Sequence, residues 1–286
     1  MKYLLKFVTP FEGIKQYINA ALSENNANLG ELWLKYAVEP YWNEWAAGQF
    51  NEQRIRNELS NPITDIDKLK ISIGILEASG IEKIVLEKYE EITELLPPTE
   101  EEKVVCIYPN LYLDQSVHGV VGNCVGGNIL ITINPEISGW EEYLPWVLAH
   151  EYNHTVWGYN YFYLMGNSRM DLLASLISEG LADSFAKAVC PHISPYWIRA
   201  LTVEQEKQQW DILKQYLYQD DNMELHNRFF FGDVVKDTPP FVGYTLGFKV
   251  VQLFLEKKPE ISFDKLVTLT PGNILNVSGY DSGINL

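Results

Sequence analysis

Cysteine is scarce: three residues in 286, Cys106, Cys124 and Cys190, an odd number at wide spacings and with no C-x-x-C pair. That excludes a disulfide framework, and the three read as reduced core thiols of a cytoplasmic protein. Positive charge is scarce as well. Twenty-two Lys and Arg stand against 38 Asp and Glu, a formal net charge of −16, so phosphate backbones would be repelled and no nucleic-acid partner is expected. Apolar runs never reach the roughly 18 residues that a membrane span needs, so no membrane partner is expected either. The start is too short for a signal peptide: residues 1–10 carry two Lys, Glu12 follows, and no small-residue cleavage site comes after. The Gly-rich stretch 119–127 has neither G-K-[ST] nor G-x-G-x-x-G, which removes the two common phosphate loops. Internal repeats and low-complexity segments are missing too.

What is present is a chain long enough for two domains and rich in apolar and aromatic residues, 47% and 13%, with eight Trp and seventeen Tyr. Residues 11–96 read as helices: Phe11, Ile14, Ile18 and Leu22 recur at helical spacing, as do Trp33, Tyr36, Ala37, Tyr41 and Trp45. Pro40 marks a kink or break, Asn61-Pro62 ends a charged helix, and Asp65 begins another with Leu69, Ile73 and Leu76 inward. Gly80 separates that helix from the next, which stops at Pro97-Pro98. From Lys103 the pattern changes. Residues 104–108 form a short apolar run ending at Pro109, a strand signal, and 119–127 reads as irregular. Residues 128–134, Asn-Ile-Leu-Ile-Thr-Ile-Asn, alternate β-branched and polar residues and read as a strand on the sheet edge. Further helices are expected from near Glu141 through the residues that follow it, from 172 through 177 to Glu179, and over 203–218 and 243–257. The first is expected to start at Glu141 or Glu142, so that Pro145 falls in its first turn.

The chemistry concentrates at His150-Glu151-Tyr152-Asn153-His154, an H-E-x-x-H pattern. On a helix, positions i and i+4 project from one face, so His150 and His154 can converge on one metal ion. Glu151, beside the first ligand, can take a proton from a water on that metal. The competing reading is a solvated His/Glu face on a surface helix. A second signal, Ser178-Glu179-Gly180-Leu181-Ala182-Asp183, follows at a distance that allows a loop and a return helix. Glu179 there can complete a three-residue ligand set, and Asp183, one turn on, can accept the ring N–H of a ligating His. Those carboxylates would otherwise be the polar side of an amphipathic helix. Gly180 inside this helix costs about 1 kcal/mol relative to Ala, which points to a close helix–helix approach.

These two motifs together resemble the gluzincin metallopeptidases, and more closely a bacterial family of zinc-dependent proteases known from sequence and long catalogued as a domain of unknown function. Residues 32–38 (Leu-Trp-Leu-Lys-Tyr-Ala-Val), 228–232 (Arg-Phe-Phe-Phe-Gly) and 242–247 (Val-Gly-Tyr-Thr-Leu-Gly) add to the likeness. The resemblance implies one Zn2+ on His150, His154 and Glu179, with Glu151 as general base and a peptide or protein as substrate. It implies an oxyanion donor beyond the glutamate helix, Tyr244 first and His226 second, with His118 and His192 behind them. It also implies that residues 128–133, with Asn128, Ile129, Leu130 and Ile131 named for substrate binding, pair with an extended substrate. The G-x-M-E-N box of the aminopeptidases is missing: Gly-Gly-Asn-Ile-Leu-Ile-Thr-Ile-Asn stands there, without a Glu for a free amine. That departure favours an endopeptidase.

The fold class implied is α+β, mostly helical and zincin-like, with a small mixed sheet whose edge strand borders the active-site cleft. Three parts are expected: 1–98, helical and packed on the catalytic part; 99–195, sheet and metal helices; 196–286, helical. Two other functions fit the same residues, a zinc-containing protein that binds peptides without cutting and a small-molecule amidohydrolase.

Overall fold

The computed structural model describes residues 4–23, 28–49 and 52–280. Four strands, β1 (Leu4–Val8), β2 (Glu102–Pro109), β3 (Val120–Val125) and β4 (Asn128–Ile133), form one mixed sheet in the order β1-β2-β4-β3. β1 and β4 run parallel to β2 on either side of it, with Val105 opposite Ile129. β3 runs antiparallel to β4 across the Gly126-Gly127 turn. The helices are α1 (Phe11–Ser23), α2 (Leu29–Trp33), α3 (Glu39–Trp45), α4 (Glu52–Leu59), α5 (Ile66–Ala78), α6 (Ile81–Leu95), α7 (Trp140–Gly158), α8 (Leu172–Val189), α9 (Val203–Leu213), α10 (Met223–His226), α11 (Val242–Lys257), α12 (Phe263–Leu266) and α13 (Pro271–Ser278). The fold is therefore α+β and mostly helical around a small mixed sheet. No described helix is long and apolar enough to cross a membrane.

Two features of the sheet correct the sequence reading. First, the stretch 128–133 is not an edge. β4 is hydrogen-bonded on both sides, to β2 and to β3, so its main chain has nothing left to offer a substrate. Ile129, Leu130 and Ile131 are buried, and Asn128 spends its amide internally, donating to the Trp45 carbonyl at 2.7 Å and accepting from the Val104 N–H at 3.2 Å. These four residues are sheet interior. Second, the Gly-rich stretch is not irregular. It contains β3, which pairs only with β4 among the described strands and so leaves one edge open. The remaining departures are small: β1 is not expected from the sequence, α7 begins at Trp140 so that Pro145 falls in its second turn, the helix expected over 203–218 ends at Leu213, and Leu22 is exposed.

By internal contacts the chain divides into two compact units, Met1–Glu94 with Pro98–Thr155 and Leu95–Pro97 with Val156–Leu286. By this grouping α8 goes with the C-terminal helices. In the first unit the N-terminal helices cover the sheet with aromatic rings. Trp33 and Trp45 each lie about 6.5 Å from the Tyr108 ring, and Tyr17 meets Trp33 edge-on at 5.2 Å. Such pairs are worth roughly 0.5–1.5 kcal/mol each beyond the area they bury. Three of these rings place their polar atom on a main-chain carbonyl, Tyr108 on Ala37, Tyr17 on Ile63 and Trp33 on Leu59, while the Trp45 indole N–H is buried without one. Tyr152 meets Tyr89 edge-on at 5.7 Å, which fixes the rotation of α7 against α6.

In the second unit α8 starts on Asp171, whose carboxylate accepts the Ala174 N–H at 2.7 Å, and its middle is pressed against α11. A Cβ at Gly180 would lie 2.2 Å from the Gly247 carbonyl oxygen, and one at Gly247 would lie 2.1 Å from that of Leu176. The close helix approach that Gly180 signals is real, and its partner is a second glycine.

Candidate metal centre

Helix α7 holds His150 and His154 one turn apart, and their Nε2 atoms are 3.1 Å from each other. Two imidazole nitrogens bound to one tetrahedral zinc, each at about 2.0–2.1 Å, stand roughly 3.3 Å apart, so the pair fits a shared ion without rearrangement. One ligand atom from each of His150, His154 and Glu179 lies within 4.8 Å of the others. The donor set of two imidazoles and a carboxylate suits zinc, and three protein ligands leave a fourth position for water or substrate. No Cys belongs to this group among the described residues, and Cys124 turns its thiol to the Gly126 carbonyl at 3.1 Å.

Glu151 is buried against β3. A Cβ at Gly122 would lie 2.3 Å from Glu151 Cγ and 2.8 Å from its Oε1. Glycine at 122 therefore makes the room in which the Glu151 side chain lies, over a face of β3, the strand at one end of the sheet. A glycine inside a strand is a known sign of close approach. The signal stood in the sequence, but nothing there connected it to Glu151.

Asp183 is fully buried on α8, and the Trp197 indole N–H is shared between its two oxygens at 3.2 Å each. Trp197 carried no motif and was not anticipated. Tyr244, near the start of α11, meets the Phe230 ring edge-on at 5.3 Å. The ring of His226 stacks on that same Phe230 at 4.5 Å, so the two oxyanion candidates flank one aromatic side chain. His226 Nδ1 is 2.9 Å from Asp221 Oδ2, which also accepts the Ser175 hydroxyl at 2.5 Å. With a proton on Nδ1 the ring donates to this carboxylate, and Nε2 donates as well only when the imidazole is protonated on both nitrogens. Asp221 and Ser175 escaped the sequence reading because neither stands at a periodic spacing from His226. His118 stacks on Tyr143 at 3.5 Å, and burial lowers its pKa, so it is a neutral, packed imidazole. Neither it nor His192 belongs to the three-residue group.

A family model described as "Predicted Zn-dependent protease (DUF2268)" matches residues 81–276, from the start of α6 into α13. No curated protein and no solved structure matches the chain.

Proposed function

Because the chain belongs to this family of predicted zinc-dependent proteases, we propose that it is an endopeptidase, holding one zinc ion on His150, His154 and Glu179 and cleaving within extended peptides. Zinc in that position would supply Lewis-acid chemistry, polarising the scissile carbonyl and making water nucleophilic near neutral pH. The rest belongs to the chain's own side chains. Glu151 takes the proton of the attacking water and passes it to the leaving amine, a transfer typically worth 10²–10⁴ in rate. Tyr244, or failing it His226 held by Asp221, donates to the oxyanion that forms as the carbonyl is attacked. Asp183 receives a ring N–H of a ligating histidine and fixes its tautomer, itself steadied by Trp197.

The single observation that carries this reading is the position of Glu151. The base of the H-E-x-x-H pair lies against Gly122 on the sheet's open strand. An extended peptide bonded to β3 would thus run past the carboxylate. This transfers to β3 the docking role that β4 cannot fill, since no described strand pairs with its outer side.

Cleavage of a peptide library by zinc-loaded protein, read by mass spectrometry beside Glu151→Gln, tests the proposal. The expected result is cleavage by the wild type and none by the variant, at equal zinc content. Peptides bound but left intact by both proteins would replace the peptidase reading with a non-catalytic one.

A further inference from the structure

The second unit exposes apolar side chains at one place in a manner that its packing does not require. Val234 and Val235 are 98% and 96% exposed, and Phe231 and Met223 are 60% and 80% exposed. The valines sit at the tip of a tightly built turn. Asp233 and Thr238 exchange both main-chain hydrogen bonds, at 2.8 and 2.9 Å. The Asp233 carboxylate accepts the N–H groups of Val235 and Lys236, at 3.0 and 3.1 Å. Arg228 Nε reaches Thr238 Oγ1 and Gln209 Nε2 reaches the Asp237 carbonyl. The Lys236 ammonium, 2.7 Å from Glu224, ties the tip to α10, where Met223 stands. The four apolar residues are therefore carried by one hydrogen-bonded frame, the turn and α10 joined through Lys236 and Glu224, and apolar side chains grouped on such a frame are candidates for a binding surface.

The rim of the patch selects its occupant. Three carboxylates, Glu224, Asp233 and Asp237, stand against two cations, Lys236, which lies between Glu224 and Asp233, and Arg228, whose charge acts on Glu224, so the rim stays net negative. An anionic bilayer attracts Lys and Arg, and this rim has the opposite sign. A symmetric contact with a second copy would set the same acidic rim against itself. What fits is a polypeptide whose apolar side chains alternate with Lys or Arg.

Within the second unit a run of ring contacts through the buried Phe230 links the patch to Tyr244. Phe231 lies 5.8 Å from His226, which stacks on Phe230, which meets Tyr244. Tyr244 is one helical turn from Gly247, the residue pressed against Gly180 beside Glu179. We infer that Val234, Val235, Phe231 and Met223 form a docking surface for the substrate polypeptide, which engages it through apolar residues flanked by basic ones. This rests on the peptidase reading for its purpose but not for its test.

The test is fluorescence anisotropy of a short fluorescein-labelled peptide of alternating valine and lysine. It is titrated with Glu151→Gln protein, which cannot cleave it, and with the same protein carrying Val234→Ser and Val235→Ser. Both positions are at the surface, so the fold is not at risk, and equal melting temperatures check this. The expected result is binding that weakens about tenfold or more on losing both valines. A matched peptide of valine and glutamate should not bind. Equal binding by the two proteins, or no binding by either, overturns the inference. So does co-sedimentation with phosphatidylserine vesicles, or a dimer that the double substitution dissolves, each with no effect on peptide binding. On the active background the same double substitution should raise KM for basic–apolar substrates and leave kcat unchanged. If wild-type protein cleaves nothing while the anisotropy result holds, the peptidase reading has failed and the docking surface has not.

Discussion

Gly122 and Glu151 show how much of this site depends on single atoms. A methyl group at 122 would overlap Glu151 Cγ, so Gly122→Ala should displace the base while sparing the metal ligands. A misplacement of about 1 Å can cost on the order of 10² in rate. The expected outcome is a fall in kcat of that order at unchanged zinc content, measured by steady-state peptide cleavage; full activity would mean that Glu151 acts from elsewhere. Tyr244→Phe and His226→Gln separate the two oxyanion candidates, since losing a true donor costs about 10²–10³ in kcat. Lys103 makes a separate prediction about stability. Its side chain is 1% exposed, its partner Glu100 lies 3.3 Å away, and burial lowers its pKa. Below the lowered value the folded state bears the cost of a buried charge. As pH rises through that value towards the ordinary lysine range, the folded state gives up its proton before the unfolded chain does, so stability rises. Lys103→Met should therefore be more stable than wild type at neutral pH, by on the order of 1 kcal/mol, with the advantage shrinking towards pH 10. Urea melts across that range check it.

At the scale of elements, the crossing of α8 and α11 is set by glycine on both sides, and it aims Glu179. Gly180→Ala or Gly247→Ala puts a methyl 2.1–2.2 Å from backbone oxygen, an overpacking that typically costs about 1–3 kcal/mol. Either variant should melt lower and bind zinc more weakly, as read by calorimetry. The helices were legible because their signals are local. H-E-x-x-H gives two side chains on one face by spacing alone, and Asp65 and Asp171 announce their helices through capping chemistry. The sheet was less legible. Asn128–Ile133 is buried almost throughout, and an apolar run is how an interior strand with a parallel neighbour reads. Its flanking Asn and single Thr imitated the alternation of an edge. β3 was hidden by its own glycine, which weakens a strand signal for the same reason that it admits Glu151. Asp221, Ser175 and Trp197 entered the picture only with the fold, because what joins them to His226 and Asp183 is tertiary.

For the whole molecule, zinc held on the proposed ligands would be a thermodynamic partner of folding. At free zinc on the order of 100 times Kd, binding to the folded state alone adds about 2.7 kcal/mol. Chelation should therefore lower Tm by roughly 5 °C in wild type and leave His154→Ala unmoved. The net charge of −16 acts at the same scale: cleavage of Lys- and Arg-rich peptides should slow as salt is raised, mainly through association. The most direct measurement, however, is the zinc K-edge absorption spectrum of the loaded protein. The account predicts one zinc per chain, bound only by nitrogen and oxygen at about 2.0–2.2 Å, with two imidazole rings in the outer-shell scattering. His154→Ala should remove one imidazole, and Glu179→Ala should remove a light ligand while keeping both. A sulfur shell near 2.3 Å, or two imidazoles that survive His154→Ala, would contradict the assignment of His150, His154 and Glu179 as the metal ligands.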